Sequence, residues 1–223
     1  MLEVETLSKT YGKKQILENI SFSIKPGEVI GIVGENGAGK STLLQMLATL
    51  SKPTSGTITL NGQSYDTRAK QIRRQIGFVP QDIALWEDFL VKENMMFFEK
   101  LAWTRKSPDQ LKQLCSDVKL DKWNEPVKIL SGGMKRKLNI AITLIHEPDL
   151  LLLDEPTAGI DLKSRKEIGS YLSKLAKKQE KMILYTSHDM DEIMQLCDRI
   201  YCIGDDPFYQ QVLKSYGKNP ILL

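Results

Sequence analysis

Apolar and polar residues alternate over the first 25 positions, in two stretches separated by a Tyr-Gly-Lys-Lys segment at 11–14. This period of two predicts short antiparallel strands joined by a turn. The apolar, β-branched run Val29–Val33 has no polar face, which is typical of a strand buried on both sides. Helical spacing follows over 41–50. Alternation returns over 55–62 and ends in Asn-Gly, which predicts a hairpin.

In the middle of the chain the spacing of apolar residues becomes that of helices. After a short predicted strand at 77–80, residues 85–130 mix aromatic residues and methionines with Lys and Glu at helical spacing. Pro and Asn mark predicted turns near 107–108 and 124–126. We interpret this stretch as a helical insertion.

The last third of the chain alternates predicted strands with predicted helices. They are a helix at 133–146, a strand at 150–153, a helix at 164–178, a strand at 182–187, a helix at 189–196 and a strand at 199–203. Such alternation predicts an α/β fold whose parallel strands are joined by right-handed crossovers. The tail after Gly204 carries Asp-Asp-Pro at 205–207 and little further pattern, so no element is predicted there.

Composition narrows the classes of protein that remain. The 223 residues allow one large domain or two small ones, and 31 Lys and Arg against 28 Asp and Glu give a net charge of +3. That balance is too even for nucleic-acid binding by composition alone. No apolar run approaches the roughly 18 residues of a membrane span, and the first residues lack a signal-peptide pattern. We expect a cytoplasmic protein whose three cysteines are buried and without a chemical role.

A glycine-rich loop separates the strand at 29–33 from the helix that follows it. Residues Gly34–Thr42 fit G-x-x-x-x-G-K-[ST] at every position. Glycines let backbone N–H groups approach phosphate oxygens, and the helix N-terminus adds about half a positive charge. We expect Lys40 to bind the β- and γ-phosphates and the Ser41 hydroxyl to ligate Mg²⁺. The alternative is a glycine loop that merely turns the chain.

Two acids end the apolar strand at 150–153. Because parallel strands end at the sheet edge where ligands bind, Asp154 and Glu155 should emerge beside the phosphate loop. We expect Asp154 to hold Mg²⁺ and Glu155 to act as general base toward the attacking water. The alternative for Glu155 is a solvated acid at a strand end.

A third segment opens a helix with an unusual charge pattern. Ser131 is a good helix N-cap, and the glycines after it expose backbone donors. Cations crowd the first turn at 135–137, where each opposes the helix dipole by roughly 0.3–1 kcal/mol. A polyanion docked at this helix N-terminus would remove the conflict, whereas a plain helix cap leaves it unexplained.

These segments together resemble the nucleotide-binding subunit of an ATP-binding cassette (ABC) transporter over nearly the whole chain. The matches occur in the family's order and spacing, which is more specific than any one of them. They are the Walker A loop Gly34–Thr42, the Q-loop Gln81, the signature-like Leu130–Met134, the Walker B strand Leu150–Glu155, the D-loop-like Ala158–Asp161, the switch histidine His188, and Tyr11, where the family stacks an aromatic on adenine.

The resemblance implies a role for each matched residue. The implied nucleotide contacts are Tyr11, Gly34, Asn36, Gly37, Ala38, Gly39, Lys40, Ser41 and Thr42. The implied catalytic residues are Glu155, His188 and Gln81, and the implied Mg²⁺ ligands are Ser41, Gln81 and Asp154. Signature residues Ser131, Gly132 and Gly133 would contact a partner's ATP, with Asp161 in the D-loop. By themselves, Tyr11 could be a hairpin aromatic, Gln81 a loop amide and His188 a surface group, and His146 is interpreted as structural.

The resemblance also implies an architecture and an assembly. The fold would be an α/β P-loop NTPase core with a mainly parallel sheet, an N-terminal antiparallel β-subdomain and an inserted helical subdomain. It would form one domain over 1–223, with the core at 1–84 and 138–223 and the helical subdomain at 85–137. Because the signature lies on the insertion, two chains would pack head to tail around two ATP molecules, as a homodimer or with a related ATPase subunit. The cations at 135–137 would then lie near the partner's γ-phosphate.

Met134 replaces the family's usual glutamine, and with the basic run after it the chain resembles an exporter-type branch. The implied partner is a separate polytopic membrane subunit at the cytoplasmic face of the membrane, with no nucleic acid. It would dock on the insertion, where Trp86, Phe89, Phe97 and Phe98 are candidate contacts unless they are core. Two alternatives remain: a soluble ABC ATPase in nucleic-acid or ribosome work, and a P-loop kinase or GTPase, which leaves the signature and His188 unexplained.

Overall fold

The computed structural model describes residues 1–82, 84–204, 206–219 and 221–223. Its strands are β1 Leu2–Tyr11, β2 Lys14–Ile24, β3 Val29–Val33, β4 Ser55–Leu60, β5 Gln63–Ser64, β6 Ile76–Val79, β7 Leu150–Leu153, β8 Met182–Thr186, β9 Arg199–Cys202 and β10 Ile221–Leu222. Its helices are α1 Lys40–Leu47, α2 Tyr65–Arg73, α3 Val91–Leu101, α4 Pro108–Asp117, α5 Gly132–Thr143, α6 Leu162–Gln179, α7 Met190–Leu196 and α8 Pro207–Ser215.

A parallel sheet with the order β10-β9-β3-β8-β7-β6 forms the centre of the molecule, which confirms the predicted α/β class. Every residue of β3, β7 and β8 is buried, because helices cover both faces. Successive residues of a strand point to opposite faces, so each strand contributes to two apolar clusters. In β7, Leu151 and Leu153 face one cluster while Leu150 and Leu152 face the other.

The N-terminal strands form a separate antiparallel sheet with the order β2-β1-β4-β5, as predicted. Its register pairs Leu2 with Ile24 and with Leu60. The buried face of this sheet packs against α1, whose Leu43, Leu44, Met46 and Leu47 lie in the same cluster as one face of the parallel sheet. The helix after the phosphate loop is therefore held between two sheets.

The insertion contains α3, α4, a 3-10 turn at Val127–Ile129 and the start of α5. The predicted turn near 107–108 is instead a helix start: Ser107 caps α4 by accepting from the Gln110 N–H, and Pro108 occupies the first turn. The predicted domain boundary at 137 falls inside α5, so this one helix belongs to both the helical subdomain and the core. The exact domain boundaries stay a prediction.

Two helices of the structure have no counterpart in the sequence prediction. The first, α2, buries only Ile72, so its apolar pattern is too weak to detect. The second, α8, lies in the tail that follows Gly204, and the short β10 after it pairs with β9. Asp205 of the Asp-Asp-Pro segment lies outside the described residues.

Two further expectations from composition can be compared with the structure. Cys115, Cys197 and Cys202 are free thiols and all three are buried, as expected. Burial raises the pKa of the Cys115 thiol to about 12. Within the ranges that the structure describes, no helix combines the length and the apolar character needed to cross a membrane.

Candidate functional site

The phosphate loop leaves β3 and enters α1 at the carboxyl edge of the parallel sheet. Gly39 caps α1 with a φ of 102°, a left-handed conformation that glycine adopts without steric cost. A Cβ at Gly39 would also lie 2.7 Å from Leu17 Cδ2 of β2. Glycine is thus required here both for the turn and for the close approach of the antiparallel sheet.

The side chain of Lys40 is held inside this loop. Its ammonium group donates to the carbonyl oxygens of Gly34 at 2.7 Å and Glu35 at 3.0 Å. Burial lowers the pKa of Lys40, although Glu155 and Asp154 act in the opposite direction. A desolvated cation facing two carboxylates is well suited to bind phosphate.

A cleft of about 360 Å³ opens over the loop and brings together residues from five separate segments. It is lined by Ile16, Asn36, Gly37, Gly39, Lys40, Ser41, Thr42, Gln81, Glu155 and His188. The phosphate loop, Gln81, Glu155 and His188 therefore meet as the sequence predicts. Tyr11 does not line the cleft: its half-exposed ring stacks under the Lys9 ammonium, 4.7 Å from the ring centroid. Ile16 is the apolar side chain that the sequence analysis missed.

The Thr186 hydroxyl, at the end of β8, forms a hydrogen bond with each of the two acids that follow β7. This hydroxyl donates to Asp154 Oδ1 at 2.9 Å, and it accepts from the Glu155 backbone N–H, also at 2.9 Å. Glu155 has a φ of 46°, which turns the chain sharply after the strand. Asp154 consequently stays buried behind the cleft, whereas the Glu155 carboxylate projects into it.

His188 contacts a group on each of its two ring nitrogens. Nε2 lies 2.7 Å from Glu155 Oε1, and Nδ1 lies 3.4 Å from the hydroxyl oxygen of Tyr209 in α8. The sequence analysis assigned nothing to Tyr209. A capping Asp followed by Pro at 206–207, with apolar residues at 209 and 213, was the available signal for a helix there.

The signature segment lies outside the cleft. Ser131 is exposed and caps α5 by accepting from the Met134 N–H at 3.3 Å. Gly133 packs against the first turn of α6, where a Cβ would lie 2.5 Å from Ser164 Cβ and 3.0 Å from Asp161 Oδ2. Asp161 caps α6 by accepting from the Ser164 N–H, which lowers the pKa of its carboxyl. The signature and the D-loop therefore form one surface of the chain, separate from its own phosphate loop.

The expectation that all of 135–137 face phosphate is wrong. Arg136 is buried and donates to the carbonyl oxygens of Pro80 at 2.7 Å and Gln81 at 2.6 Å. Lys137 is buried in an ion pair with Glu167, and Lys135 pairs with Glu87. These partners, distant in sequence, accept hydrogen bonds from the cations that appeared to conflict with the helix dipole. Arg136 also ties the signature helix to the Gln81 segment.

The aromatic residues of the insertion divide into two groups. Trp86, Phe89 and Phe97 are exposed, and the Trp86 and Phe97 ring centroids are 4.1 Å apart. Phe98 is partly buried and packs against the core, but it also lines a groove, so both the core and the contact interpretation stay open for that residue. Beside it a groove of about 250 Å³ is lined by Arg73, Phe78, Phe98, Leu101, Ala102, Trp103, Ile142, Thr143 and His146. The His146 ring also contacts the Ile76 carbonyl at 2.9 Å.

The glycine-rich loop between a buried parallel strand and a helix defines a P-loop nucleotide-binding domain. A family model described as ABC transporter matches residues 17–158, and the chain belongs to this family. The linearmycin resistance ATP-binding protein of Bacillus subtilis is 40% identical over 205 residues, which cover 90% of this chain and 65% of that protein. The Nod factor export ATP-binding protein I of Sinorhizobium fredii is 37% identical, covering 98% of this chain and 68% of that protein. The chain thus spans about two thirds of these relatives' length.

Solved structures agree with the fold. A dimeric bacterial ABC transporter cassette matches with a TM-score of 0.81 at 27% identity, covering 91% of this chain and 94% of that chain. A dimeric post-hydrolysis state of an ATP-binding cassette, bound to ADP and Pi, matches with the same TM-score and coverage. The predicted architecture of core, antiparallel sheet and helical insertion is confirmed.

Proposed function

We propose that this chain is the ATP-binding and ATP-hydrolysing subunit of a membrane exporter. The observation that carries the proposal is the cleft that unites Lys40, Glu155, His188 and Gln81 over a complete phosphate loop. Its size and polar lining suit a triphosphate, since backbone N–H groups and one buried ammonium converge on it.

In this proposal the phosphate loop and Lys40 bind the β- and γ-phosphates. Glu155 accepts a proton from the attacking water. The water oxygen bonds to the γ-phosphorus, and the bond between that phosphorus and the oxygen that leaves with ADP breaks. His188, 2.7 Å from Glu155, keeps that carboxylate oriented toward the γ-phosphate. The assignment of Tyr11 to adenine stacking stays a prediction, with Ile16 as a further apolar contact.

Mg²⁺ fits the oxygen atoms of the site. Ser41, Gln81 and Asp154 would hold it, directly or through water, and hydroxyl, amide and carboxylate oxygens are the ligands that this hard cation prefers. An Mg²⁺ ion held by these residues would neutralise charge that develops on the phosphate oxygens. The Thr186 hydroxyl, which donates to Asp154 Oδ1, fixes the orientation of the buried carboxylate for this task.

The exposed N-terminus of α5 supports a dimer with composite sites. Ser131, Gly132 and Gly133 are outside their own chain's cleft, so they would contact the ATP of a partner, with Asp161 beside them. The dimeric form of the solved cassettes supports pairing of two chains, and the separation of the signature from its own phosphate loop favours a head-to-tail arrangement, either of this chain or with a related ATPase subunit. Met134 leaves the cap of α5 intact, because only its backbone N–H is used.

Export is supported by the relatives, one named for linearmycin resistance and another for Nod factor export. We infer that the groove at α3 receives a cytoplasmic segment of a separate polytopic membrane subunit, which would hold the chain at the cytoplasmic face of the membrane. Its rim is apolar at Leu101 and Trp103, both exposed. The relatives do not favour the alternative of nucleic-acid or ribosome work.

Two variants test the proposal. Glu155→Gln should keep ATP binding, lower turnover by about 10²-fold or more and trap a dimer in ATP, because only the base is lost. Ser131→Arg should block hydrolysis and spare binding by a single chain. Phosphate release, nucleotide affinity and light scattering would be measured, with exposed Glu18→Gln as the control. Full steady-state hydrolysis by Glu155→Gln refutes the general base, and lost ATP binding in Ser131→Arg refutes the composite site.

A further inference from the structure

The tail of the chain carries α8 back to the cleft. The chain leaves β9 beside the phosphate loop, where a Cβ at Gly204 would lie 3.2 Å from Ala38 Cβ. It then forms α8 and returns to the sheet as β10, which pairs in parallel with β9.

Side-chain contacts fix the rotation of α8 as well. Leu213 is fully buried in the core, and Tyr209, one helical turn earlier, faces the same side and packs against that core. The Tyr216 hydroxyl, just beyond the helix, donates to Asp191 Oδ1 of α7 at 2.7 Å. The buried Leu213 and the packing of the Tyr209 ring, which do not depend on the Tyr216 hydroxyl beyond the helix, hold the Tyr209 hydroxyl in place beside His188.

The chemistry of the two nitrogens of His188 gives this contact a consequence. A carboxylate only accepts hydrogen bonds, so the 2.7 Å contact with Glu155 favours a proton on Nε2. In a neutral imidazole Nδ1 is then an acceptor, and the Tyr209 hydroxyl is the donor that matches it. The 3.4 Å separation is at the long end for a hydrogen bond.

The surroundings of Tyr209 keep it a donor. Burial raises the pKa of its hydroxyl, and the charges of Asp206, Glu35 and Glu155 raise it further. The phenol therefore stays protonated at neutral pH. A deprotonated phenol could not stabilise the same tautomer of His188.

We propose that Tyr209 is a positioning residue that holds His188 in the tautomer protonated on Nε2. The inference rests on the proposed function, because it acts on turnover only through His188 and Glu155. The Tyr209 hydroxyl donates to Nδ1, and the proton on Nε2 is thereby directed at the Glu155 carboxylate. The last helix of the chain is consequently part of the hydrolytic machinery without touching nucleotide.

The test compares two tyrosines of the same tail. Tyr209→Phe removes the hydroxyl and keeps the ring. Tyr216→Phe is the matched control, since its hydroxyl bonds to α7 instead of to the site. The tautomer of His188 is measured by ¹⁵N NMR of the nucleotide-free protein. The sequence has one other histidine, His146, and the His146→Gln variant identifies its signals. The kcat and KM for ATP are measured on the same samples.

Tyr209→Phe should shift the tautomer toward Nδ1–H and lower kcat about fivefold, the loss expected for one ordinary hydrogen bond, with KM unchanged. Tyr216→Phe should change neither. The proposal requires both effects in Tyr209→Phe, and either one without the other overturns it. A wild-type protein that hydrolyses no ATP refutes the proposed function instead, and the tautomer measurement still decides whether Tyr209 controls His188.

Discussion

Gly133→Ala is a demanding test of the contact between the signature helix and the D-loop. The added Cβ would lie 2.5 Å from Ser164 Cβ and would also overlap Ser164 Oγ. Rotating the serine side chain moves Oγ, but Cβ is fixed to the backbone. Ser164 is also buried, and its N–H is bonded to Asp161. The clash is relieved only if α5 and α6 move apart.

The size of the effect follows from that movement. Ordinary contact at 3.4 Å requires a separation of about 0.9 Å between the two helix starts. Overpacking of this kind costs about 1–3 kcal/mol of the free energy of unfolding. For a chain of 223 residues, a cost of 2 kcal/mol corresponds to a fall in Tm of roughly 4–8 °C. The composite site should weaken too, because Ser131 moves with the helix.

Gly132→Ala is the matched control. Its added Cβ would approach nothing closer than Ile160 Cγ2 at 3.9 Å, an ordinary contact. In an unstrained helical position, Gly to Ala stabilises by about 0.4–1 kcal/mol, because the unfolded chain loses freedom. The two neighbouring substitutions should therefore shift Tm in opposite directions. Differential scanning calorimetry would measure both.

A second substitution checks the cause of the loss. Ser164→Gly removes both clashing atoms, so the double variant should lose less stability than the sum of the two single variants. The reasoning is refuted if Gly133→Ala melts with the wild-type Tm. It is equally refuted if the double variant is strictly additive, since the clash would then not involve Ser164.

Two further predictions concern the docking groove and acid stability. Leu101→Asp on the groove rim should weaken co-purification of the co-expressed membrane subunit and leave the ATPase rate of the isolated chain unchanged. Leu50→Asp, at a side chain that is 68% exposed against 65% for Leu101, should change neither co-purification nor the ATPase rate. Equal loss of co-purification with both variants contradicts the groove. Burial acts to raise the pKa of Glu28, but hydrogen bonds from Arg199 and a backbone N–H outweigh it, so the pKa is lowered. This stabilisation is complete above about pH 4.3 and is lost as pH falls through the lowered pKa. The test is the urea concentration at the midpoint of unfolding, measured as a function of pH. In Arg199→Met this midpoint should fall less steeply at acid pH than in the wild type, and an unchanged pH dependence argues against a stabilising Glu28–Arg199 pair.

Much of the site could be predicted from sequence because its signals are local. The phosphate loop occupies nine consecutive residues between a buried strand and a helix, and Asp154 and Glu155 directly follow another buried strand. Parallel strands end at one edge, so these segments had to meet. Ser131 and Asp161 were likewise predictable as caps, since each accepts from a backbone N–H three residues later.

The errors came where a pattern has two interpretations. Cations in the first turn of α5 indicated a bound anion, yet Arg136 donates to carbonyl oxygens at 80–81 and Lys137 pairs with Glu167. A helical period shows which residues share a face but not what that face meets. The helix in the tail after Gly204 was not predicted for a related reason. Because α8 buries little more than Leu213, few apolar positions indicate a helix there.

The sequence by itself determined the chemistry of this protein: a phosphate loop, two acids after a buried strand, and a histidine after the next strand. Each depends on residues adjacent in the chain, where propensity and strand ends set the geometry. Tertiary structure alone decided which groups meet across the chain, namely Tyr209 with His188, Thr186 with Asp154, and Gly133 with Ser164. Those pairs depend on how helices pack on the sheet, which the period of apolar residues leaves open.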